Sequence, residues 1–344
     1  IVSGLEDVPQ QGGTALADRA RIFPGGNALN ASLAAAQLGL NGFEIRLIAP
    51  WGTSWVGRIL SEYTNKLGIE APLADKYRDQ RGMHTSINVV LSDAGTDPRS
   101  LCALHSLREF TVQDLETTLP SLVSSDWIHF GGLGLLPGIE KPEIAKLLRK
   151  VRKKRPDVVM SGDVTLLYSR DLPNDETAEL TRVSTEWRER IGPMLEFFDY
   201  LFLNEDELHQ LAGPSFVNDT HSAAKELQGR WLGQQARAVV VKQGLHGATV
   251  YERGHRPVTV DPKKGVKVAD STGAGDCWCA GFIMDHLHRG GDELTPVVRF
   301  ANWTAAESVS TLGGAIGLPK YESILSKMKA RNSSQRRRVR GNTI

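Results

Sequence analysis

Asp276 closes the run Asp270-Ser271-Thr272-Gly273-Ala274-Gly275-Asp276, whose glycines allow close backbone approach to a ligand. The residues that follow, Cys277-Trp278-Cys279-Ala280-Gly281-Phe282, read as the first turns of a helix. Amides that open a helix have no intrahelical partner, and the positive end of the helix dipole lies among them. Gly273, Ala274 and Gly275 could therefore hold a phosphoryl group, with Asp276 placed to take the proton of an attacking hydroxyl. A carboxylate at that end is stabilised as the anion, which predicts a weak base. Phosphoryl transfer tolerates this, because its loose transition state asks for positioning and charge neutralisation first. A glycine-rich turn also caps helices that bind nothing, so the run does not stand alone.

A second glycine-rich helix start, Pro24-Gly25-Gly26-Asn27-Ala28-Leu29-Asn30, leads into the small-residue stretch 31–38, closed by Gly39. The carboxamides of Asn27 and Asn30 suit neutral, hydroxyl-rich ligands, although Asn27 by itself also reads as a helix cap. Asn204 and Glu207, three apart after the apolar run 197–203, would share one side of a helix's first turn. Taken alone they form a capping box. The strand-like Val239-Val240-Val241 ends in Lys242-Gln243-Gly244, and a lysine there could equally be a solvated edge residue. Ala301-Asn302 on the helical stretch 297–310 is followed by Thr311 and by Gly313-Gly314-Ala315-Ile316-Gly317-Leu318-Pro319.

Together and in this order, these segments resemble the ribokinase-like (PfkB) carbohydrate kinase family over nearly the whole chain. The resemblance implies an α/β, ribokinase-like three-layer α/β/α fold, with a mainly parallel central sheet and a small β-sheet lid. It also implies ATP-dependent phosphorylation of a hydroxyl of a small sugar. Asp276 would be the base, with Gly273, Ala274 and Gly275 as anion hole, and Gly25, Gly26, Asn27 and Asn30 would bind substrate. Asn204, Lys242, Gly244 and Asn302 would contact the nucleotide, Asn302 in the adenine pocket, while Glu207 would organise Mg²⁺ through water. Asp270, Ser308, Thr311 and Gly313 would surround a monovalent cation, K⁺. Two alternatives stand beside this reading. Asp97-Pro98-Arg99-Ser100-Leu101 is similar to a lid segment of adenosine-type nucleoside kinases, and a non-catalytic relative could bind a ligand or partner through the same fold.

The chain also departs from the family's pattern. The family's first core strand ends in an aspartate that grips sugar hydroxyls; Ile1-Val2-Ser3-Gly4-Leu5 looks like the continuation of that strand, and the matching aspartate is not in the sequence, which opens on Ile1. Where the family commonly has Gly-Asp-Asp before a helix, this chain has Gly52-Thr53-Ser54-Trp55-Val56-Gly57. Trp51 and Trp55 could narrow the substrate rim or simply pack in the core, and Ser54 could cap the helix. Arg78, Arg81, His84 and Arg99 are cations available in the lid, too dispersed to mark a phosphosugar site.

Among the 344 residues, 40% are hydrophobic and the net charge is +1, so the total implies neither a nucleic-acid surface nor an acidic-substrate funnel. Three cysteines are too few for a disulfide framework and make a reducing, cytoplasmic setting the default. No stretch approaches the roughly 20 apolar residues of a membrane span, and no signal peptide is visible. No Gly-Lys-Ser/Thr signals a P-loop, and no early Gly-x-Gly-x-x-Gly signals a dinucleotide fold.

Apolar runs alternating with amphipathic ones predict a mainly parallel sheet, with strands at 45–49, 127–130, 158–161, 200–203, 238–242 and 249–252. The core is expected at 25–75 and 105–330, and the lid, discontinuous, at 1–24 and 76–104. Closure of such a lid would exclude water. Pairing of two copies through the lid is compatible with the family, though nothing in 76–104 requires it. Lys150 to Arg155 reads as a solvated helix end, 173–192 as a surface insertion, and the basic 331–344 as an unstructured tail in which nucleic-acid binding is not expected.

Overall fold

Both faces of Tyr200-Leu201-Phe202-Leu203 are apolar, as are those of Ala238-Val239-Val240-Val241, and strands of that kind belong inside a sheet covered on both sides. The computed structural model describes residues 2–3, 16–74, 85–92, 99–165, 176–291 and 293–341, and it places both segments at the centre of a three-layer α/β/α unit. The first elements are β1 (Val2–Ser3), β2 (Arg19–Ala20), α1 (Asn27–Leu38) and α2 (Trp55–Lys66). Then come β3 (Ile87–Ser92), β4 (Arg99–Ala103), α3 (His105–Glu109), α4 (Val112–Glu116) and α5 (Leu119–Ser124). The middle of the chain holds β5 (Trp127–Leu133), α6 (Ile144–Lys154), β6 (Val159–Val164), α7 (Glu176–Leu195), β7 (Tyr200–Asn204), α8 (Glu205–Ala212) and α9 (Thr220–Glu226). The last part holds β8 (Ala238–Lys242), β9 (Ala248–Glu252), β10 (Val258–Val260), α10 (Ala274–Arg289), α11 (Leu294–Ser308) and α12 (Tyr321–Gly341).

The larger sheet has six strands in the order β10-β9-β8-β7-β6-β5, with β5 to β8 parallel and β9 and β10 antiparallel. Leu201, Leu203, Val239 and Val241 pack against α6 to α9, through Leu147, Ile191, Leu208 and Ala223. On the opposite face, Tyr200, Phe202 and Val240 meet Trp278 and Phe282 of α10 and Val297 of α11. A third apolar cluster joins α1 and α12 to the outer side of α10 and α11. Four carboxyl-edge residues, Gly131, Asp163, Asn204 and Lys242, stand near the ends of adjacent parallel strands, which is where ligands sit in such sheets.

Some expectations are revised. Residues 45–49 form no named strand; Arg46 makes one bridge to Glu70, and Pro50, lacking an N–H, ends the extended stretch. Of the segment 173–192, 173–175 lie outside the described residues, and the rest is not simply a surface insertion, because α7 buries Val183, Trp187 and Ile191 in the helical layer. Helix α12 runs on to Gly341, through residues expected to be unstructured, since Arg, Lys and Gln favour helix and no proline interrupts them.

The smaller sheet, ordered β2-β1-β3-β4, draws its strands from the two stretches expected to form the lid. Strand β1 pairs antiparallel with β2 and parallel with β3, and β3 pairs antiparallel with β4. Arg78, Arg81, His84, Asp97 and Pro98 lie outside the described residues. Trp51 is buried and donates to Ser61 Oγ at 3.1 Å, so it packs in the core and does not narrow a cleft, whereas Trp55 is 52% exposed at the start of α2. Ser54 caps that helix.

Candidate active site

Helix α1 begins without a side-chain cap: Gly26, at φ +112°, is its N-cap, in backbone space that favours glycine. Asn27 is thus the first helical residue, and its carboxamide is free for tertiary contacts. Asn27 Nδ2 donates to Asp276 Oδ1 at 3.0 Å and to Thr165 Oγ1 at 3.1 Å, while Asn30 Nδ2 donates to Asp276 Oδ2 at 2.8 Å. Two glycines at the end of β5 make this possible. A Cβ on Gly131 would lie 2.9 Å from Ala28 N, and one on Gly132, at φ +81°, 2.9 Å from Asn27 Oδ1. Gly273, at φ +73°, is the N-cap of α10, and a Cβ there would stand 3.0 Å from Asn30 Nδ2 and 3.4 Å from Gly314 Cα. The two glycine-rich helix starts and the loop after α11 therefore converge on Asp276.

The electrostatics differ from the expectation of a weak base. Asp276 is 6% exposed; burial, reinforced by the charge of Asp163, pushes its carboxyl up to about 7, against the opposing pull of Asn30, Lys242 and Asn27. The helix dipole acts on this group, but desolvation outweighs it. Lys242 Nζ lies 2.5 Å from Asp163 Oδ1 and 3.2 Å from where a Cβ of Gly275 would be, which sets the ammonium against the first turn of α10. Burial alone would lower its pKa, yet the Asp163 carboxylate holds it well above the usual lysine range. His129, half-buried beside this pair, is pushed down to about 4, chiefly by desolvation, and stays neutral.

Asn204 and Glu207 form the capping box: Asn204 Oδ1 accepts from the Glu207 amide at 2.8 Å, and Glu207 Oε2 accepts from the Asn204 amide at 2.7 Å. The box itself uses one oxygen of each side chain. Glu207 is half-exposed at its surface but crowded in the cleft, and burial pushes its carboxyl up to about 7. The capping box leaves Glu207 Oε1 over, an oxygen that suits Mg²⁺ held mostly by water and phosphate. Gly244, at φ +53°, follows β8 into open space.

Asp270 accepts from Thr272 N at 2.9 Å and from Gly313 N at 3.0 Å, tying the glycine-rich turn to the loop after α11. Thr311 Oγ1 donates to the Ser308 carbonyl at 3.4 Å, so the four residues expected around a monovalent cation are neighbours, linked pairwise as Asp270 with Gly313 and Ser308 with Thr311. Asn302 behaves differently. Its Oδ1 accepts from Trp278 Nε1 at 2.7 Å and its Nδ2 donates to the carbonyls of Val260 and Asp261 at 2.9 and 3.2 Å, so the side chain is committed to the interior. Ala306, one turn further along α11, and Ser310, just past its end, line a cleft of about 380 Å³, with Lys263, Gly265, Val266, Lys267 and Ala269.

Sequence reading passed over Asp163, Thr165, Gly131 and Gly132. The signal was present: a carboxylate ends the apolar run 158–162, and a glycine pair ends 127–130, both at carboxyl ends of predicted parallel strands.

The sequence profile described as pfkB family carbohydrate kinase matches residues 5–321. An uncharacterized sugar kinase of Archaeoglobus fulgidus is 34% identical over 117 residues, covering 34% of this chain and 42% of that one. A nucleoside kinase of Methanothermobacter thermautotrophicus is 25% identical over 316 residues, covering 92% of this chain and 87% of that one. The matches span less than half the length of the first curated relatives. Among solved structures, a ribokinase from Giardia lamblia superposes with a TM-score of 0.75 at 15% identity, covering 96% of this chain and 98% of that one. No helix among the described residues is long and apolar enough to cross a membrane.

Proposed function

The chain belongs to the pfkB family of carbohydrate kinases, and from that premise we propose that it transfers the γ-phosphoryl group of ATP to a hydroxyl of a small sugar. The observation that carries this is the gripping of Asp276, at the amide-rich start of α10, by Asn27 and Asn30 from a second helix start. An acceptor hydroxyl placed there gives its proton to Asp276 as its oxygen bonds to the γ-phosphorus, and ADP leaves. The amides of Gly273 and Gly275 would face the migrating group, while that of Ala274 donates to the Ser271 carbonyl at 3.2 Å, and Lys242 adds a positive charge beside them. Mg²⁺, when bound, neutralises phosphate oxygens; Glu207, with Asn204 beside it, is the group that would hold its waters. The cleft bounded by Ala306, Ser310 and 263–269, next along the chain from Asn302, would take the base of the nucleotide.

Acceptor-dependent ADP release tests the reading, scanned over ribose, fructose, 2-keto-3-deoxygluconate, fructose 6-phosphate and nucleosides, in K⁺ and in tetramethylammonium. Turnover on a sugar supports it, and equal rates in the two cations would remove the monovalent ion from Asp270. A nucleoside as acceptor is the second reading, favoured by the nearly full-length similarity to a nucleoside kinase. ATP binding with no turnover on any acceptor would point to a non-catalytic relative.

The charge state of Asp276 sets a pH dependence. A base must be ionised to accept a proton, and this one is raised to about 7. With a sugar acceptor, kcat/KM is expected to fall about tenfold per pH unit below that value and to level off above it, since this ratio reports the free enzyme. A profile flat from pH 5 to 8 would contradict the assignment of Asp276 as base.

A further inference from the structure

Asp163 lies at the end of β6, is 2% exposed, and pairs with a lysine from β8 whose side chain is 15% exposed. A buried ion pair of this kind is weak support for a fold, since desolvation offsets much of its attraction. Its placement is the informative part. Lysine carries its charge on a flexible stem with several rotamers, so an unheld ammonium would sample positions away from any one ligand atom. Here the Asp163 carboxylate fixes it 3.2 Å from the position of a Gly275 Cβ, beside the first turn of α10. Only one of the three ammonium protons is needed for Asp163, so the others can donate to an incoming anion.

We propose that Asp163 is a positioning residue for phosphoryl transfer, holding the Lys242 ammonium where the migrating group passes. The proposal rests on the kinase reading above. Asp163 acts through Lys242 and, by its own negative charge, on Asp276; it touches no substrate atom. The charged and titratable groups around Asp276 are Asp163 from β6, Lys242 from β8, and the Cys277 and Cys279 thiols of its own helix, with neutral His129 from β5 and Glu207 from α8 around the Asp163 and Lys242 pair. Both thiols are held up by burial, Cys277 to about 12, so they carry no charge in the working range. Asp163 and Lys242 therefore act on Asp276 in opposite directions.

The test compares the intact protein with Asp163→Asn, Lys242→Gln and the double variant, by kcat, by the pH profile of kcat/KM, and by calorimetric ADP affinity. Asp163→Asn is expected to lower kcat by about 10- to 10³-fold, the range seen when one preorganised charge-stabilising donor is lost. It should also move the acid limb down by about one unit, because a neighbouring negative charge has gone. Lys242→Gln should move the limb up. The double variant should be no slower than Lys242→Gln alone, since the two residues act as one device. A wild-type kcat and limb in Asp163→Asn, or losses that multiply in the double variant, would overturn the proposal. Asp163→Ser is read in the same way if the asparagine variant does not fold, and failure of both to fold would assign the pair to stability and overturn it too. Absence of turnover in the unaltered protein would strike the kinase reading itself, which keeps the two failures apart.

Discussion

Asp276→Asn is expected to reduce kcat by ~10²- to 10⁴-fold, the usual contribution of a positioned general base. The substitution is nearly isosteric and keeps a carboxamide oxygen to accept from Asn27 or Asn30, so at most one of the two hydrogen bonds is lost. Nucleotide affinity should change little, because the cleft near Ala306 and Ser310 and the capping box at Asn204 are built from other elements. Steady-state turnover with the best acceptor, alongside calorimetric titration with ADP, separates the effects. A loss of kcat smaller than about tenfold would mean that Asp276 does not take the proton. The residual rate of the variant should keep only the part of the acid limb near pH 7 that Glu207 contributes, since the share of Asp276 goes with the missing carboxyl.

The same residue shows where sequence reading reaches and where it stops. The run 270–276 announces a helix start with a carboxylate in its first turn, and the structure has it. Local spacing supplies the dipole, which acts toward a weaker base. The basicity of Asp276 is governed instead by burial under α1 and by Asp163, which lies 113 residues earlier by number (276 minus 163) and reaches the site only through the strand order of the sheet. Lys242 was visible as a strand-end lysine, but its distance to Asp163 depends on β7 lying between β6 and β8. Motifs are legible because they encode local backbone geometry; partners joined by strand register are not. Asn302 is legible only in part for a related reason. Its place on α11 was readable, but which face of that helix turns toward Trp278 and the Val260 carbonyl follows only from packing.

Glu140→Ala should destabilise the protein by about 3 kcal/mol, the lower part of the range for breaking a buried ion pair, because Arg190 is partly exposed. The Glu140 side chain is fully buried and accepts from Gly134 N at 2.5 Å, Leu136 N at 3.1 Å and Arg190 at 2.5 Å. Alanine leaves two amides and a guanidinium without that acceptor. The consequence should reach the site. Gly134, at φ +109°, follows the Gly132 that receives Asn27, and a Cβ on it would meet the Thr165 carbonyl at 2.5 Å and the Trp187 ring at 3.0 Å. Arg190 spans this turn from α7, donating to the Gly134 carbonyl at 3.1 Å and stacking over Trp187. A loosened turn would displace Asn27 and Thr165 before it disturbed the nucleotide cleft, so the acceptor's KM should rise more than that of ATP. Urea unfolding measures the first effect and paired KM values the second. A destabilisation under about 1 kcal/mol would mean that water replaces the lost acceptor and that Glu140 is a surface group in effect. An equal rise in both KM values would show instead that α7 supports the whole carboxyl edge of the sheet rather than its acceptor side alone.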